Sequence, residues 1–421
     1  MFRKLAKNIG GVSAILILAR GVAVISSIFL ARVLSKADFG EFSLMRTLIL
    51  LIAPLAIWGQ DIATARFFSH NQAHLFKWDK AFKNVILIAI PMIIIAIIIS
   101  NFVYNIPSFY TFLIFIASIG YCIILLISNL FRSQKQYHIA IIIDSGFRLI
   151  FFLIIVSSLV FGILTKTTAI GGYSICIPIF AIIGIVYVRK MIPPGSKPVP
   201  RQMHLDGLWL MAIDTSVILM GSVDSLFISG MLTLEALGIY SAVLVPIHAF
   251  DILGRATKFV LIPELGAQKR VHFRLYNYII AVVAIFMLVV FVFGGKIILH
   301  ILYGSKFDEG LTILQILAFV GVLRLFYSLG SSMIVGRLGQ IALKFHTGLS
   351  ISAVVLHIGL TYVLVRQLGM LGAAIAVLIT TIFRVITSYY VVRRFRYTEN
   401  ELANTQTQEP GIDMAQQIMT T

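Results

Sequence analysis

Residues 31–43, ARVLSKADFGEFS, place an arginine, a lysine, an aspartate and a glutamate between two apolar runs, ISSIFL (25–30) and LILLIAPLAIW (48–58). A second version of this stretch, SGMLTLEALGIYS, occupies residues 229–241, 198 positions later. Charged residues between two long apolar runs are typical of a short polar turn that joins two membrane helices. The repeat indicates that the chain contains two copies of one helical unit.

The composition of the whole chain favours a membrane protein. Of its 421 residues, 59% are hydrophobic and 12% are charged, whereas soluble domains carry about 25% charged residues. Apolar runs such as VILIAIPMIIIAIII (85–99) belong to segments of the roughly 20 residues that a helix needs to cross a bilayer. We therefore predict an all-α polytopic membrane protein. The N-terminus, MFRKLAKNIGG, lacks the pattern of a cleaved signal, so we expect the first span to direct insertion.

Twelve transmembrane helices are predicted, because each apolar run is too long for a membrane strand and shows no alternation. They cover residues 10–33, 41–66, 82–103, 108–131, 137–162, 168–189, 207–232, 237–263, 273–294, 311–335, 341–365 and 369–392. Most Lys and Arg residues outside these spans fall in loops that share a side with the N-terminus, which marks that side as cytoplasmic. Both termini are therefore predicted to be cytoplasmic. The same pattern explains the net charge of +17 without a nucleic-acid partner.

A proline-rich basic segment, KMIPPGSKPVPRQMHL (190–205), divides the chain into an N-terminal six-helix lobe (1–189) and a C-terminal six-helix lobe (206–396). Alignment of the lobes at the 198-residue offset places Gly40 on Gly238. Because each lobe holds an even number of spans, the copies share one orientation, and we expect an axis along the membrane normal to relate them. Residues 397–421 are polar and are predicted to form a disordered cytoplasmic tail.

Ionisable residues inside the spans are the candidate functional residues. A charged group at mid-bilayer costs about 2.5–3.5 kcal/mol on insertion scales, so such groups are expected to face the protein interior or a wet cavity. The basic residues are Arg20, Arg46, Arg148, Arg255, Lys258, Arg324 and Arg384, and the acidic residues are Asp61, Asp144, Asp214, Asp224 and Asp251.

Two acid–base pairs have a structural interpretation as well as a functional one. Asp144 and Arg148, and likewise Asp251 and Arg255, are spaced i, i+4. Each pair can therefore neutralise itself on one face of its helix. The spacing alone does not decide between self-neutralisation and substrate binding.

The other basic residues divide by their position in the predicted spans. Arg46 and Lys258 lie near helix ends, and Arg384 is also placed so that its side chain can reach the membrane interface. Arg20 and Arg324 lie near mid-span without an acidic partner on their own helix. For these two we favour a place in a cavity.

The remaining acidic residues are interpreted as partners of the arginines or as sites that bind a coupling ion. This applies to Asp61, Asp214 and Asp224, and the sequence does not rank the two roles. Histidines in the spans are expected to be satisfied interior residues; these are His248, His346 and His357.

Four stretches together carry a resemblance to a known family. They are ILARGVAVISSIFLARVLSKADFGEFSLMRTLI (17–49), LEALGIYSAVLVPI with LIPEL (234–265), ILYGSKFDEGLTILQILA (301–318) and LGMLGAAIAVLITT (368–381). The chain resembles the polysaccharide-transporter branch of the multidrug/oligosaccharidyl-lipid/polysaccharide (MATE/MOP) exporter superfamily, specifically the Wzx-type O-antigen flippases. The resemblance extends over nearly the whole chain.

The resemblance implies a V-shaped pair of lobes that alternates between inward-open and outward-open states in the bacterial inner membrane. The implied substrate is an oligosaccharide linked to undecaprenyl pyrophosphate, with its prenyl tail in membrane lipid. Arginines suit its phosphates by their bidentate geometry, and the candidates are Arg20, Arg148, Arg255, Arg324 and Arg384. The implied coupling ion is H⁺ or Na⁺, bound by the aspartates. A polysaccharide polymerase and a chain-length regulator are possible protein partners, and no cofactor is expected.

Two other functions were weighed. A drug/cation antiporter of the same superfamily would need more carboxylates than basic groups in its cavity, because its substrates are cations. The spans instead hold seven basic and five acidic residues. A membrane enzyme such as an O-antigen polymerase would need a long periplasmic loop, and the longest predicted outward loop covers only residues 295–310. No HExxH, GxSxG or phosphate-binding glycine loop is present. We therefore predict that the protein is not an enzyme.

Overall fold

The fold is all-helical in a computed structural model that describes residues 20–68, 73–266, 273–338 and 340–408. The helices are α1 (20–33), α2 (Lys36–Ala56), α3 (Gln60–Phe67), α4 (Trp78–Tyr104), α5 (Ser108–Ser133), α6 (Tyr137–Val160), α7 (Lys166–Met191), α8 (Arg201–Met231), α9 (Leu234–Gly266), α10 (Phe273–Tyr303), α11 (Leu311–Arg337), α12 (Gln340–Leu368) and α13 (Met370–Gln408). Two short 3-10 helices, Ala73–Leu75 and Gly304–Gly310, lie between them.

Nine stretches of the described chain are long and apolar enough to cross a membrane. One of them, Asn277–Val335, contains parts of both α10 and α11, and a shorter apolar helix lies at Ile218–Met231. The chain is therefore a multi-pass membrane protein. The predicted total of twelve includes residues 10–19, which lie outside the described part of the chain.

The predicted span 41–66 is not one continuous helix. Trp58 and Gly59 adopt left-handed backbone conformations, with φ of 53° and 68°, and they separate α2 from α3. A Cβ at Gly59 would overlap the carbonyl oxygen of Gly207 on α8. Glycine is therefore required where the chain turns, because it tolerates positive φ and allows the two backbones to approach closely.

The two copies of the repeated stretch pack directly on each other. A Cβ at Gly40 would overlap the carbonyl oxygen of Leu234, and a Cβ at Gly238 would overlap the carbonyl oxygen of Lys36. Lys36 and Leu234 are themselves 198 positions apart. The contact is therefore reciprocal, as a two-fold relation between two copies requires. The glycines allow the backbones of α2 and α9 to touch, which is how small residues act in membrane helix pairs.

A second contact between the halves lies at the opposite end of the bundle. Gln60, at the start of α3, donates a hydrogen bond to the carbonyl oxygen of His204 at 3.0 Å, and its Oε1 lies 2.8 Å from Nδ1 of His204. Burial lowers the pKa of His204, so the imidazole at this contact is neutral at neutral pH. We call this the linker end, because residues 192–200 connect α7 and α8 there, and we call the end with Gly40 and Gly238 the turn end.

The C-terminal helix is longer than predicted. We expected a disordered tail from residue 397, but α13 continues to Gln408. The sequence ENELANTQTQ (399–408) contains no glycine or proline to stop a helix. Residues 409–421 lie outside the described part of the chain.

Candidate functional site

Arg46 of the first half points into its helical bundle. Its Nη1 donates to Oγ of Ser27 on α1 at 3.1 Å, and its guanidinium carbon lies 5.9 Å from the centre of the Phe42 ring. Tyr173 on α7 and Arg148 on α6 are close enough to interact with it electrostatically. The side chain therefore contacts other helices of its half.

Arg148 lies in the same bundle, close to aromatic side chains and to one carboxylate. Its guanidinium carbon lies 5.4 Å from the centre of the Phe147 ring. Asp144 and the Tyr121 hydroxyl are also near enough to interact with it. The proximity of Asp144 agrees with the self-neutralising interpretation of this i, i+4 pair.

Asp251 of the second half pairs with a different arginine from the one its spacing indicated. Nη1 of Arg324 on α11 lies 3.3 Å from Oδ1 of Asp251 and 3.4 Å from Oδ2. Nδ1 of His248 lies 3.2 Å from Oδ2. Arg255 is exposed and lies near Arg324. The i, i+4 pairing of Asp251 with Arg255 is therefore corrected, because α11 brings Arg324 to the carboxylate and leaves Arg255 without it.

Beside this ion pair, two cationic side chains and a histidine surround one tyrosine ring. The guanidinium carbon of Arg384 on α13 lies 4.1 Å from the centre of the Tyr327 ring on α11, and Nζ of Lys258 on α9 lies 5.3 Å from the same centre. The His346 ring on α12 stacks on Tyr327 at 6.1 Å. Lys258, Arg384, Tyr327 and His346 are hereafter the cation cluster. Its cations contact the Tyr327 ring of a neighbouring helix, so Lys258 and Arg384 lie between the helices of the bundle.

The cation cluster has no acidic member among the described residues. Every ion pair of 4.0 Å or less in this part of the chain involves other residues. Cation–aromatic contacts stabilise each positive charge by about 0.5–2 kcal/mol but do not neutralise it. The cluster is therefore suited to receive an anion.

Asp224 lies in a fully enclosed part of the second half. Its Oδ1 is 2.9 Å from Nε2 of His357 on α12, and its Oδ2 accepts a hydrogen bond from the Tyr240 hydroxyl on α9 at 3.1 Å. Asp224 is 6% exposed and His357 is 0% exposed. The interior location predicted for His357 is correct, but its partner is a carboxylate, which the sequence did not indicate.

The remaining candidates are dispersed. Asp61 lies at the start of α3, where Asn129 donates to its Oδ2 at 3.3 Å. Arg20 is the first described residue and is partly buried in α1. Asp214 belongs to α8, and its side chain lies outside the described part of the chain. The described residues contain no group of three or more acidic, histidine or cysteine side chains that could hold a metal ion.

The sequence analysis did not indicate Tyr327, Tyr240 or Thr380, although the Thr380 hydroxyl lies 3.3 Å from Nδ1 of His357. Two spacings could have pointed to Tyr327 and Thr380. Arg324 and Tyr327 are i, i+3 on α11, and Thr380 and Arg384 are i, i+4 on α13, so each pair shares one helix face. A polar or aromatic residue one turn from an intramembrane arginine is therefore a useful signal.

Exposed ion pairs tie the halves together at the turn end. Nζ of Lys36 contacts the carboxylate of Glu309 and lies 3.7 Å from that of Glu235. In the first half, Nζ of Lys166 lies 3.0 Å from Glu41. Because the side chains of Glu235 and Glu309 are more than half exposed, such pairs contribute at most about 1 kcal/mol each.

An apolar groove of about 530 Å³ lies between α10, α11 and α13. It is lined by Asn277, Tyr278, Ala281, Phe326, Val385 and Tyr389. Phe326 precedes Tyr327, and Val385 follows Arg384. The groove and the cation cluster therefore involve neighbouring positions of α11 and α13.

Comparison of the sequence with known families gives one match. The family described as "Polysaccharide biosynthesis protein" matches residues 5–253, which is more than half of the chain. Among proteins of curated function, none matches this chain in sequence.

Solved structures share the fold at low sequence identity. The eukaryotic MATE transporter AtDTX14 superposes with a TM-score of 0.62 at 13% identity, over 91% of this chain and 95% of that one. The lipid II flippase MurJ, in an inward closed conformation, gives 0.61 at 14% identity, over 91% and 87%. The MATE multidrug transporter DinF-BH gives 0.61 at 15% identity, over 93% and 96%. The chain therefore has the fold of the MATE/MOP exporter superfamily.

Proposed function

Because the chain belongs to the polysaccharide biosynthesis protein family, we propose that it is a flippase for an oligosaccharide linked to undecaprenyl pyrophosphate. The oligosaccharide is the repeat unit of an O-antigen or a related surface polysaccharide. It moves from the cytoplasmic to the periplasmic leaflet of the bacterial inner membrane. Two six-helix lobes, 1–189 and 206–396, give alternating access from the two sides, with both termini in the cytoplasm.

The cation cluster is the observation that carries this proposal. Lys258 and Arg384 converge on Tyr327 inside the bundle, with no carboxylate within 4.0 Å among the described residues. Arg324 and Arg255 lie nearby on α11 and α9. A cost of about 2.5–3.5 kcal/mol for each intramembrane charge favours such a cluster only where a ligand supplies the negative charge. A diphosphate does so, and guanidinium groups bind it through paired hydrogen bonds.

The two parts of a lipid-linked sugar need different surroundings. The glycan and the diphosphate need a polar interior, since neither can enter hydrocarbon. The prenyl tail can remain in apolar surroundings, and the 530 Å³ groove at Phe326 and Val385 provides such surroundings on the two helices that carry Tyr327 and Arg384. With the cell interior negative, each negative charge that leaves gains about 2.3 kcal/mol per 100 mV.

The transport cycle also needs a step that resets the empty carrier. We assign this to a gradient of H⁺ or Na⁺, with Asp224 or Asp61 as the residue that binds the ion, because both are buried carboxylates. The polysaccharide polymerase and the chain-length regulator are the protein partners expected to use the product.

A drug/cation antiporter is the second candidate, favoured by the structural likeness to the multidrug transporter DinF-BH. The excess of basic over acidic groups in the second half disfavours it, because a cationic drug would be repelled by Lys258, Arg384 and Arg255. Resistance to cationic dyes, measured in cells that express the protein, separates the two functions. A flippase gives none.

The test is deletion of the gene in the parent organism, followed by analysis of undecaprenyl-linked intermediates. Complete repeat units are expected to accumulate on the cytoplasmic leaflet, and the wild-type gene should clear them. Arg384→Gln should clear them about 10- to 100-fold more slowly, because hydrogen bonds to charged groups contribute about 1.5–3 kcal/mol. The matched control is Arg366→Gln, since Arg366 is exposed near the end of α12. Absence of lipid-linked intermediates would overturn the function, and full activity of Arg384→Gln would overturn the site.

A further inference from the structure

The guanidinium group of Arg32 crosses from the first half to the second at the turn end. Its Nε donates to the carbonyl oxygen of Leu302, and its Nη2 donates to that of Ile301. Both carbonyls lie in the last turn of α10, where carbonyl oxygens lack a partner within the helix and form the negative end of the helix dipole. Nε and Nη2 form an edge of the guanidinium group that can equally bind two oxygens of one phosphate.

Lys306 makes the reverse connection, from the second half to the first. It lies just after α10, and its Nζ donates to the carbonyl oxygen of Leu34 and, at 2.9 Å, to that of Ala31. Ala31 belongs to the last turn of α1, and Leu34 follows that helix. Helices α1 and α10 are therefore each capped by a cation of the opposite half. Both caps exist only while the halves touch at this end.

The acceptors of these two cations carry no net charge. In the described part of the chain, no carboxylate lies within 4.0 Å of Arg32 or Lys306, although Asp38 is near enough to Lys306 to interact with it electrostatically. By contrast, Lys36 and Lys166 at the same end are both paired with carboxylates. Since Arg32 is exposed, an anion from solution can reach it.

A phosphate is a stronger acceptor for these cations than a backbone carbonyl. It presents two charged oxygens to the fork of Arg32, and the attraction between opposite charges adds to the hydrogen bonds. A ligand shifts a conformational equilibrium only when it binds one state better than the other. A diphosphate that binds Arg32 and Lys306 must displace the carbonyl groups. It therefore binds best to the state in which α1 and α10 have separated.

We propose that Arg32 and Lys306 form a second phosphate-binding site, at the turn end, and that a diphosphate opens this end by taking the place of the backbone carbonyls. The inference rests on the proposed function, in which the turn end faces the periplasm, and it adds an exit site to the cation cluster. The empty protein keeps both caps, so its turn end stays closed. When the substrate leaves, the cations return to the carbonyls and the turn end closes again.

The test is double electron–electron resonance on the purified full-length protein, with spin labels on Ile163→Cys and Gln367→Cys. Both residues are exposed, and they lie in different halves next to the α6–α7 and α12–α13 turns. The native cysteines, Cys122 and Cys176, are buried and should not be labelled. Inorganic pyrophosphate should raise the ratio of long to short distances in the wild type about 10-fold, the factor that one hydrogen bond between a charged pair provides.

Removal of both cations should mimic the ligand. Arg32→Gln/Lys306→Gln should show the long distance without pyrophosphate, and added pyrophosphate should not increase it. Lys166→Gln is the matched control, because Lys166 is another cation of the turn end whose partner, Glu41, belongs to its own half. It should behave as the wild type. A closed turn end in the double variant would overturn the inference. If that variant does not fold, Arg32→Gln decides in the same way, since it leaves the cap made by Lys306 in place.

A second variant separates this site from the cation cluster. Lys258→Gln/Arg384→Gln retains Arg32 and Lys306, so pyrophosphate should still open its turn end. If pyrophosphate opens the wild type but not this variant, the response comes from the cation cluster, and the turn-end site is overturned while the proposed function stands. If pyrophosphate leaves the wild type closed, the turn-end site is likewise overturned. The proposed function itself fails only in the separate measurement of lipid-linked intermediates in cells.

Discussion

The two halves of the molecule meet through equivalent glycines but carry different groups at equivalent interior positions. Asp224 and Tyr240 lie 198 positions after Ser26 and Phe42. In the second half the two residues form a hydrogen bond in an enclosed site with His357. In the described part of the first half, the Ser26 hydroxyl donates to the carbonyl oxygen of Val22 on its own helix. The two halves thus share the backbone contact at Gly40 and Gly238, whereas the buried site with Asp224, Tyr240 and His357 lies in the second half.

The two copies therefore share their backbone packing but not their charged groups. Neither Gly40 nor Gly238 can gain a side chain without moving a backbone, because a Cβ on either would overlap a carbonyl oxygen of the opposite helix. An interior serine or phenylalanine has no such constraint on its charge. The first half instead places Arg46 against Phe42 and Ser27. Both halves therefore carry intramembrane cations, whereas the buried Asp224–His357 pair belongs, among the described residues, to the second half.

The largest expected effect on stability comes from removing the carboxylate of Asp224, which faces His357. Asp224→Ala should lower the free energy of unfolding by about 3–5 kcal/mol, because it leaves a buried partner without compensation. Ser26→Ala, at the equivalent position, should change it by less than about 0.5 kcal/mol. Thermal unfolding of both variants in the same detergent measures the contrast. Equal, small effects would mean that the halves do not differ in the way described.

The second-largest effect on stability concerns the backbone contact at Gly40 and Gly238. Gly40→Ala and Gly238→Ala should each lower stability by about 1–3 kcal/mol, because the added methyl group forces α2 and α9 apart. The two losses should agree, since the contact is reciprocal. Gly221→Ala on α8 is the control, because a Cβ there meets nothing within 4 Å. A loss confined to one of the two glycines would contradict the two-fold arrangement.

The smallest effect concerns the ion pairs of the turn end. Lys36→Ala removes the contacts with Glu235 and Glu309 and should lower stability by less than about 1 kcal/mol, since both acids are largely exposed. The loss should shrink further in about 1 M salt, where the Debye length is about 3 Å. Unfolding at low and high salt measures this. A salt-independent loss of several kcal/mol would instead place Lys36 among the structural determinants of the interface between the halves.

Much of the fold can be read from the sequence because hydrophobic length is a local property. Helices α4 to α7 lie close to their predicted bounds, since each is one long apolar run between polar turns. The break at Trp58–Gly59 could not be read in this way, because both sides of it are apolar and the turn is imposed by α8. The repeated glycine pair was visible in the sequence, whereas the close contact between its members was not.

The candidate site was only partly predictable, for a different reason. Intramembrane charge is a strong local signal and identified Arg324, Arg384 and Asp224. Their partners lie on other helices: Asp251 for Arg324, and His357 for Asp224. Spacing within one helix therefore suggested the wrong partner for Asp251. Pairing in a membrane bundle is decided by which helices pack together, and a single sequence does not contain that information.

The most direct test of the central claim is native mass spectrometry of the purified protein with added undecaprenyl diphosphate and undecaprenol in competition. The account predicts that the wild type retains the diphosphate in preference to the alcohol. The double variant Lys258→Gln/Arg384→Gln should lose that preference by about 10- to 100-fold, because hydrogen bonds to charged groups contribute about 1.5–3 kcal/mol. Equal retention of both lipids by the wild type, or an unchanged preference in the double variant, would contradict the claim that buried cations of the second half receive a phosphorylated headgroup.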